Sequence, residues 1–213
     1  MAHRPLVQRL GYGFLQVVCR LAAVVFLRIR CEGRRHIPKE GGVLVCSNHQ
    51  SFLDPLLVGL ACDRRLNALS RKTLFRFAPL RWLIKFLDAI PIDRDGLGLS
   101  GLRETLRRLR IGKMVLIFPE GTRTRDGRVA PLKPGFCTLV RRGKAAVVPV
   151  AIAGAFEVWP RWRAWPWPAV VRIQIGEPIM PAEAKMLSDR QLIERLEQAI
   201  RACYEEAQRQ RMH

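Results

Sequence analysis

Three short polar loops hold the residues of this chain whose types and spacing could do chemistry. In Asn48-His49-Gln50-Ser51-Phe52-Leu53-Asp54, a histidine and a carboxylate stand five positions apart. A helix would not bring them together, but a sharp corner can fold one onto the other. A carboxylate accepting from one imidazole nitrogen fixes the tautomer and leaves the other nitrogen to take a proton. Taken alone, the pair is also what a helix-capping Asp beside an exposed His looks like. The second loop is Phe118-Pro119-Glu120-Gly121-Thr122-Arg123. Its glycine permits close backbone approach and its arginine can fork onto a phosphate, although a polar surface turn with a glycine reads the same way. The third, Pro91-Ile92-Asp93-Arg94-Asp95-Gly96, offers Arg94, either as a second anion contact or as a surface ion pair with Asp93 or Asp95.

Each loop follows a short apolar run. Residues 43–46 and 114–118 read as buried strands, 89–92 as a strand candidate, and 66–69, 147–152 and 170–175 as further strands. Asp54-Pro55 marks a helix start, with Asp able to cap and Pro suited to the first helical position. Leu99, Leu102, Leu106 and Leu109 repeat at helical spacing, with Arg103, Arg107 and Arg110 turned away. Residues 71–87 are helical in pattern but broken by Pro79, and 135–142 form a short helix. Ser188 and Gln191 stand at capping-box spacing before the stripe Leu192, Leu196, Ala199, Ile200 and Cys203. Strands alternating with helices predict an α/β fold: a single domain with a largely parallel or mixed central sheet flanked by helices. In such sheets, sites collect in the loops at strand ends. The expected division is a membrane-associating segment at 1–38 and a catalytic domain at 39–213.

The formal net charge of +19 is unevenly placed, about +20 over residues 1–175 and −1 over 176–213. A basic body implies an anionic partner: nucleic acid, an acidic bilayer or a phosphorylated small molecule. A nucleic-acid binder would show a base-reading basic helix or exposed aromatics on a sheet; neither is evident, and the apolar N-terminus argues against that class. Leu6 to Leu27 is largely apolar, with Arg9, Gln16 and Arg20 on one narrow stripe. An in-plane amphipathic helix fits better than a span, which would hold Arg20 near mid-bilayer; packing on the domain core is the other reading. Arg71, Lys72, Arg76, Arg81 and Lys85, interleaved with Phe75, Phe77, Trp82 and Phe86, suit a headgroup interface. Trp159, Trp162, Trp165 and Trp167, mixed with Arg161 and Arg163, suit either the aromatic belt of a membrane or a proline-stiffened loop packed on the core. Both readings stay open. The six cysteines show no CxxC pair and no metal-ligand spacing, so no metal site and no cofactor is expected, and buried free thiols in a reducing compartment are.

His49 with Asp54, Arg94 in its turn, the 118–123 run and Val147-Val148-Pro149-Val150-Ala151-Ile152 occur in that order. Together they resemble the four blocks of the glycerolipid acyltransferases, the 1-acylglycerol-3-phosphate acyltransferase family. The resemblance covers about residues 40–180, and its strength is in the ordered set rather than in any one block. It implies that His49, held by Asp54, takes the proton from a free hydroxyl of a lysophospholipid. That oxygen then attacks the thioester of acyl-CoA or acyl carrier protein, with no covalent acyl-enzyme and with oxyanion donors near the Glu120-Gly121 turn or the His49 corner. It further implies that Arg94 and Arg123, with Lys72 as a weaker candidate, grip the substrate phosphate. Glu120, Gly121 and Thr122 complete the substrate site, and Pro149 lines it. The implied reaction gives phosphatidic acid from lysophosphatidic acid at the cytoplasmic face of a membrane, by a peripheral or monotopic enzyme on an anionic surface. Acylation of glycerol 3-phosphate or another lysolipid, and a non-catalytic lipid-binding module, are the alternatives; an intact His49–Asp54 pair weighs against the last.

Overall fold

A computed structural model describes residues 17, 21, 24–71, 90–92 and 98–212. Its centre is a seven-stranded sheet. The strands are β1 (Arg30–Glu32), β2 (Val43–Ser47), β3 (Leu66–Arg71), β4 (Ile90–Ile92), β5 (Met114–Ile117), β6 (Ala146–Ala153) and β7 (Arg172–Ile175). Their order across the sheet is β1-β7-β6-β2-β5-β3-β4. Every neighbouring pair runs parallel except β6 and β7, which are antiparallel. The sheet is therefore mixed and largely parallel, as the alternation of strands and helices predicts. Strand β1 was not legible in the sequence, and it falls within residues 1–38.

The helices are α1 (Asp54–Ala61), α2 (Gly98–Arg110), α3 (Gly135–Gly143), α4 (Ala155–Val158), α5 (Pro181–Met186) and α6 (Asp189–Met212). Strand side chains alternate between two buried faces, as the period of two requires. Leu44, Cys46, Val115, Ile117 and Val147 meet Leu106 and Leu109 of α2, Leu139 of α3 and Leu192, Leu196 and Ile200 of α6. Val43, Val45, Leu116, Val148 and Val150 meet Leu57 and Val58 of α1, with Leu27 and Ile29 beside them. Burial on both faces is why β2 and β5 read as unbroken apolar runs.

Local details follow the sequence closely, with three exceptions. The capping box before α6 is reciprocal: Ser188 N–H donates to Gln191 Oε1 at 2.9 Å and Gln191 N–H to Ser188 Oγ at 3.2 Å. Pro55 does sit in the first turn of α1, but Asp54 does not cap it; Leu53 is the capping residue and makes no side-chain bond. Leu99 belongs to the first turn of α2 and is exposed, so the buried stripe there is Thr105, Leu106 and Leu109. Cys46, Cys62, Cys137 and Cys203 are buried free thiols and Cys31 is a half-buried one. The expected N-terminal amphipathic helix lies outside the described residues except at 17, 21 and 24–27, and so do Lys72, Arg94 and the pieces around Pro79, except that Arg71, expected to open a helix, ends β3 instead. Among the described residues, no helix is long and apolar enough to cross a membrane.

Candidate active site

Strands β2 and β5 are parallel neighbours, with Cys46 opposite Ile117. Their C-terminal ends therefore release two loops side by side, at residues 48–53 and 118–134. A chain of polar contacts ties these loops to each other and to the sheet. Asn48 Nδ2–H donates to the Ile152 carbonyl at 2.9 Å, and Asn48 Oδ1 accepts from Ile152 N–H at 2.8 Å. The side chain thus continues the β2–β6 ladder one step past the strand end. His49 is gripped through its backbone: its N–H donates to Glu120 Oε1 at 3.0 Å and its carbonyl accepts from Thr124 N–H at 2.8 Å. Gln50 Nε2–H donates to the Gly127 carbonyl at 2.7 Å, and its Oε1 accepts from Phe156 N–H at 3.3 Å. Tyr204, on α6, donates to the same Gly127 carbonyl at 2.9 Å.

The His49 ring is fixed on two sides. Nδ1 lies 2.8 Å from Asp54 Oδ2, and the ring stacks on Phe118 with centroids 3.9 Å apart at an interplanar angle of 12°. The same Oδ2 accepts from Gln50 N–H at 2.6 Å and Ser51 N–H at 2.8 Å. This explains why Asp54 is not the helix cap: its carboxylate turns back to close the corner. Side-chain exposure is 0% for Asp54 and 19% for His49. The buried Asp54 oxygen is the common acceptor of three donors, and Nδ1–H donating to it leaves Nε2 as the nitrogen that can accept.

Glu120 is buried, and burial pushes its carboxyl up to about 7 against an ordinary value of 4.5. The N–H groups of His49 and Ala130 act the other way, while the Asp54 charge raises it further. The folded protein thus holds a proton on Glu120 that the unfolded chain releases near 4.5. The stabilisation is complete below that value and is lost as pH rises through about 7. Glu120→Gln keeps an oxygen for His49 N–H and removes the charge. We expect the melting temperature of the wild type to fall between pH 6 and 8.5 more steeply than that of Glu120→Gln. Parallel slopes in thermal melts would refute this origin.

Gly121 has φ of +75°, which closes a turn in which its N–H donates to the Phe118 carbonyl at 2.9 Å. Any Cβ there would come within 3.0 Å of Lys133 Nζ. Thr122 is exposed next to it. Arg123 is half-buried, with its guanidinium carbon 3.4 Å from the centroid of the Phe52 ring; Phe52 in turn meets Trp159 at 5.3 Å. Of the sequence candidates, His49, Asp54, Glu120, Gly121, Thr122 and Arg123 are therefore brought together. Phe52, Phe118 and Lys133 were not anticipated. Phe52 and Phe118 lie inside the two motifs, so aromatic rings at motif positions were the available signal; Lys133, twelve residues after Gly121, gave none.

Fold and site together define an α/β protein whose strand-end loops hold an imidazole against a buried carboxylate, beside a stacked guanidinium. The chain belongs to the Acyltransferase family, whose model matches residues 28–153. It is 26% identical over 186 residues to the 1-acyl-sn-glycerol-3-phosphate acyltransferase of Bacillus subtilis, covering 84% of this chain and 89% of that one. To the enzyme of the same name from Pseudomonas aeruginosa it is 30% identical over 188 residues, covering 83% and 71%. The chain spans only 38% of the chloroplastic 1-acyl-sn-glycerol-3-phosphate acyltransferase LPAT1 of Arabidopsis thaliana, at 30% identity over 138 residues. The crystal structure of the 1-acyl-sn-glycerophosphate acyltransferase PlsC from Thermotoga maritima superposes with a TM-score of 0.79 at 26% identity, covering 95% of this chain and 82% of that one.

Proposed function

We propose that the protein transfers a fatty acyl group from a thioester, acyl-CoA or acyl carrier protein, to the free hydroxyl of 1-acylglycerol 3-phosphate. The product is phosphatidic acid. The observation that carries the chemistry is the 2.8 Å contact between His49 Nδ1 and Asp54 Oδ2. It orients Nε2 to draw the proton from the acceptor hydroxyl as oxygen attacks the thioester carbonyl. Asp54 stabilises the imidazolium, and His49 then returns the proton to the departing thiolate. The acceptor's substrate class rests on the kinship with enzymes of that name.

The oxyanion donors are narrower than the sequence suggests. The N–H groups of His49, Gln50, Ser51 and Gly121 are already bonded to Glu120, Asp54 and the Phe118 carbonyl. The remainder of the turn, at exposed Thr122, is the place left for them. Glu120 acts as the strut that holds the His49 loop against this turn. Arg123 grips the acceptor phosphate, joined by Arg94, Lys72 and the Lys133 ammonium over Gly121. The Phe52 ring beneath Arg123 holds the guanidinium flat and aimed. The enzyme works on an anionic bilayer at the cytoplasmic face, with the part of residues 1–38 that precedes β1 as its membrane-associating segment, since β1 itself is a strand of the catalytic sheet.

The test is thiol release by the purified protein with lysophosphatidic acid, glycerol 3-phosphate and a phosphate-free lysolipid, each with both thioester donors. Lysophosphatidic acid should be strongly preferred. Arg123→Ala should raise the acceptor KM at least tenfold, on the scale of a lost charge-assisted contact, with the donor KM unchanged. Phe52→Leu should move the same constant in the same direction by a smaller factor. A defect confined to the donor would reassign Arg123.

A further inference from the structure

We propose that the loop at residues 159–168 is a bilayer-docking surface, seating Trp162, Trp165 and Trp167 among anionic headgroups. The proposal deepens the reading of a membrane-bound acyltransferase and rests on it for the choice of a lipid partner. The sequence left these tryptophans between a packed loop and an exposed one. Only Trp159 turns inward, donating its Nε1–H to the Arg163 carbonyl at 2.9 Å. Trp162, Trp165 and Trp167 are 62%, 80% and 70% exposed. Three such side chains within six residues cost solubility and stabilise nothing that they do not cover.

The loop beneath them is firmly built, so their exposure is not that of a frayed segment. Trp167 N–H donates to the Val158 carbonyl at 2.8 Å, Arg163 N–H to the Pro160 carbonyl at 3.2 Å, and the Arg163 guanidinium to the Glu157 carbonyl at 2.8 Å. Trp162 touches Phe156 edge-on at 5.2 Å. Exposed Arg161 and Arg163 flank Trp162 in the sequence. Indole beside guanidinium is the chemistry of the headgroup layer, where a large apolar body and a polar edge are both satisfied and anionic phosphates neutralise the arginines. The net charge of +19 has the same sign.

The surface is continuous with a second apolar patch and with the site. Val24, Val25 and Phe26, at the end of the N-terminal helix, are exposed. A cavity of about 310 Å³ is common to the two patches, lined by Phe26 and Leu27 as well as by Trp167 and Pro168. Leu53, the residue before Asp54, and Leu57, one turn after it, also line this cavity. From the catalytic corner, Ser51 Oγ–H also donates to the Trp159 carbonyl at 3.0 Å. The loop and the site therefore share one end of the sheet, so docking through these rings would place the catalytic corner at the membrane, where a diacyl product must stay.

The experiment uses the full chain and vesicles of phosphatidylethanolamine with phosphatidylglycerol, set against phosphatidylcholine alone. Replacing Trp162, Trp165 and Trp167 by alanine together should lower partition onto the anionic vesicles by roughly tenfold or more, as interfacial binding scales with the apolar area inserted. Acylation of a short-chain lysophosphatidic acid dissolved as monomer should stay at the wild-type rate, which separates this proposal from the acyl-transfer reading. That reading fails if the monomeric acceptor is not acylated at all, whatever the vesicles show. Unchanged partition overturns the docking surface. So does self-association in sedimentation that the triple variant abolishes while vesicle binding persists, because the rings would then cover a second copy of the chain. Should the variant not fold, brominated phosphatidylglycerol in the vesicles must quench the tryptophan emission of the native protein, and Trp165→Phe must remove part of the quenched signal; no quenching overturns the proposal equally.

Discussion

Replacing His49 with alanine reduces thioester-dependent acylation to background while leaving the protein folded. The expected loss is at least the roughly 10²–10⁴-fold that a positioned general base contributes. The geometry separates this loss from misfolding. The contacts that pin residue 49 are made by its backbone, to Glu120 Oε1 and from Thr124 N–H, and alanine keeps both. What disappears is a partly exposed ring stacked on Phe118, together with one donor to Asp54. The stability cost should be about 1–2 kcal/mol, mostly the lost stacking and transfer of the ring. Thiol release at saturating substrates measures the first effect and urea denaturation the second. Full activity in a folded His49→Ala protein would remove the imidazole from the mechanism.

How far the sequence foretold this site depends on which kind of contact held each part. The strands were legible because β2, β5 and β6 are buried on both faces and so must be apolar throughout. Strand β1 was not, because Arg-Cys-Glu at the sheet edge, paired on one side to β7, has nothing to distinguish it from a loop. The His49–Asp54 pair could be inferred from spacing, since only a corner brings those residues together. The real geometry of Asp54 could not. Capping a helix and folding back onto Gln50 and Ser51 N–H groups call for the same residue at the same place, and only the three-dimensional path of the loop decides. Glu120 shows the same limit. Its sequence setting beside Gly121 and Arg123 suggests a residue that meets substrate or orders the nearby cations, and gives no sign that one of its oxygens is a buried acceptor for His49 N–H. Long-range partners such as Tyr204, 77 residues from the Gly127 carbonyl that it binds, carry no local sequence signal at all.

The corner geometry also sets the second large effect, at Asp54, where two substitutions should come apart. One oxygen, Oδ2, accepts from His49 Nδ1, Gln50 N–H and Ser51 N–H. Asparagine can set its oxygen at the Oδ2 position and keep all three donors, which puts its NH2 where Oδ1 lies buried and without a partner. Nδ1–H can still donate, so the tautomer is kept, but the negative charge that stabilises the imidazolium is gone. Asp54→Asn should therefore remain folded and lose roughly 10²–10⁴-fold in kcat through the missing charge, up to the scale seen when the buried carboxylate behind a catalytic histidine becomes an amide. Alanine instead strands two backbone N–H groups in a place with no solvent access, at about 1–3 kcal/mol each. Asp54→Ala should then be both inactive and several kcal/mol less stable than Asp54→Asn. Paired measurement of kcat and urea midpoints decides the matter. If Asp54→Asn keeps near-native activity, the carboxylate only shapes the loop. If instead the two variants are equally stable, Asp54 acts on the imidazole alone, and the corner is held by Glu120 and Asn48.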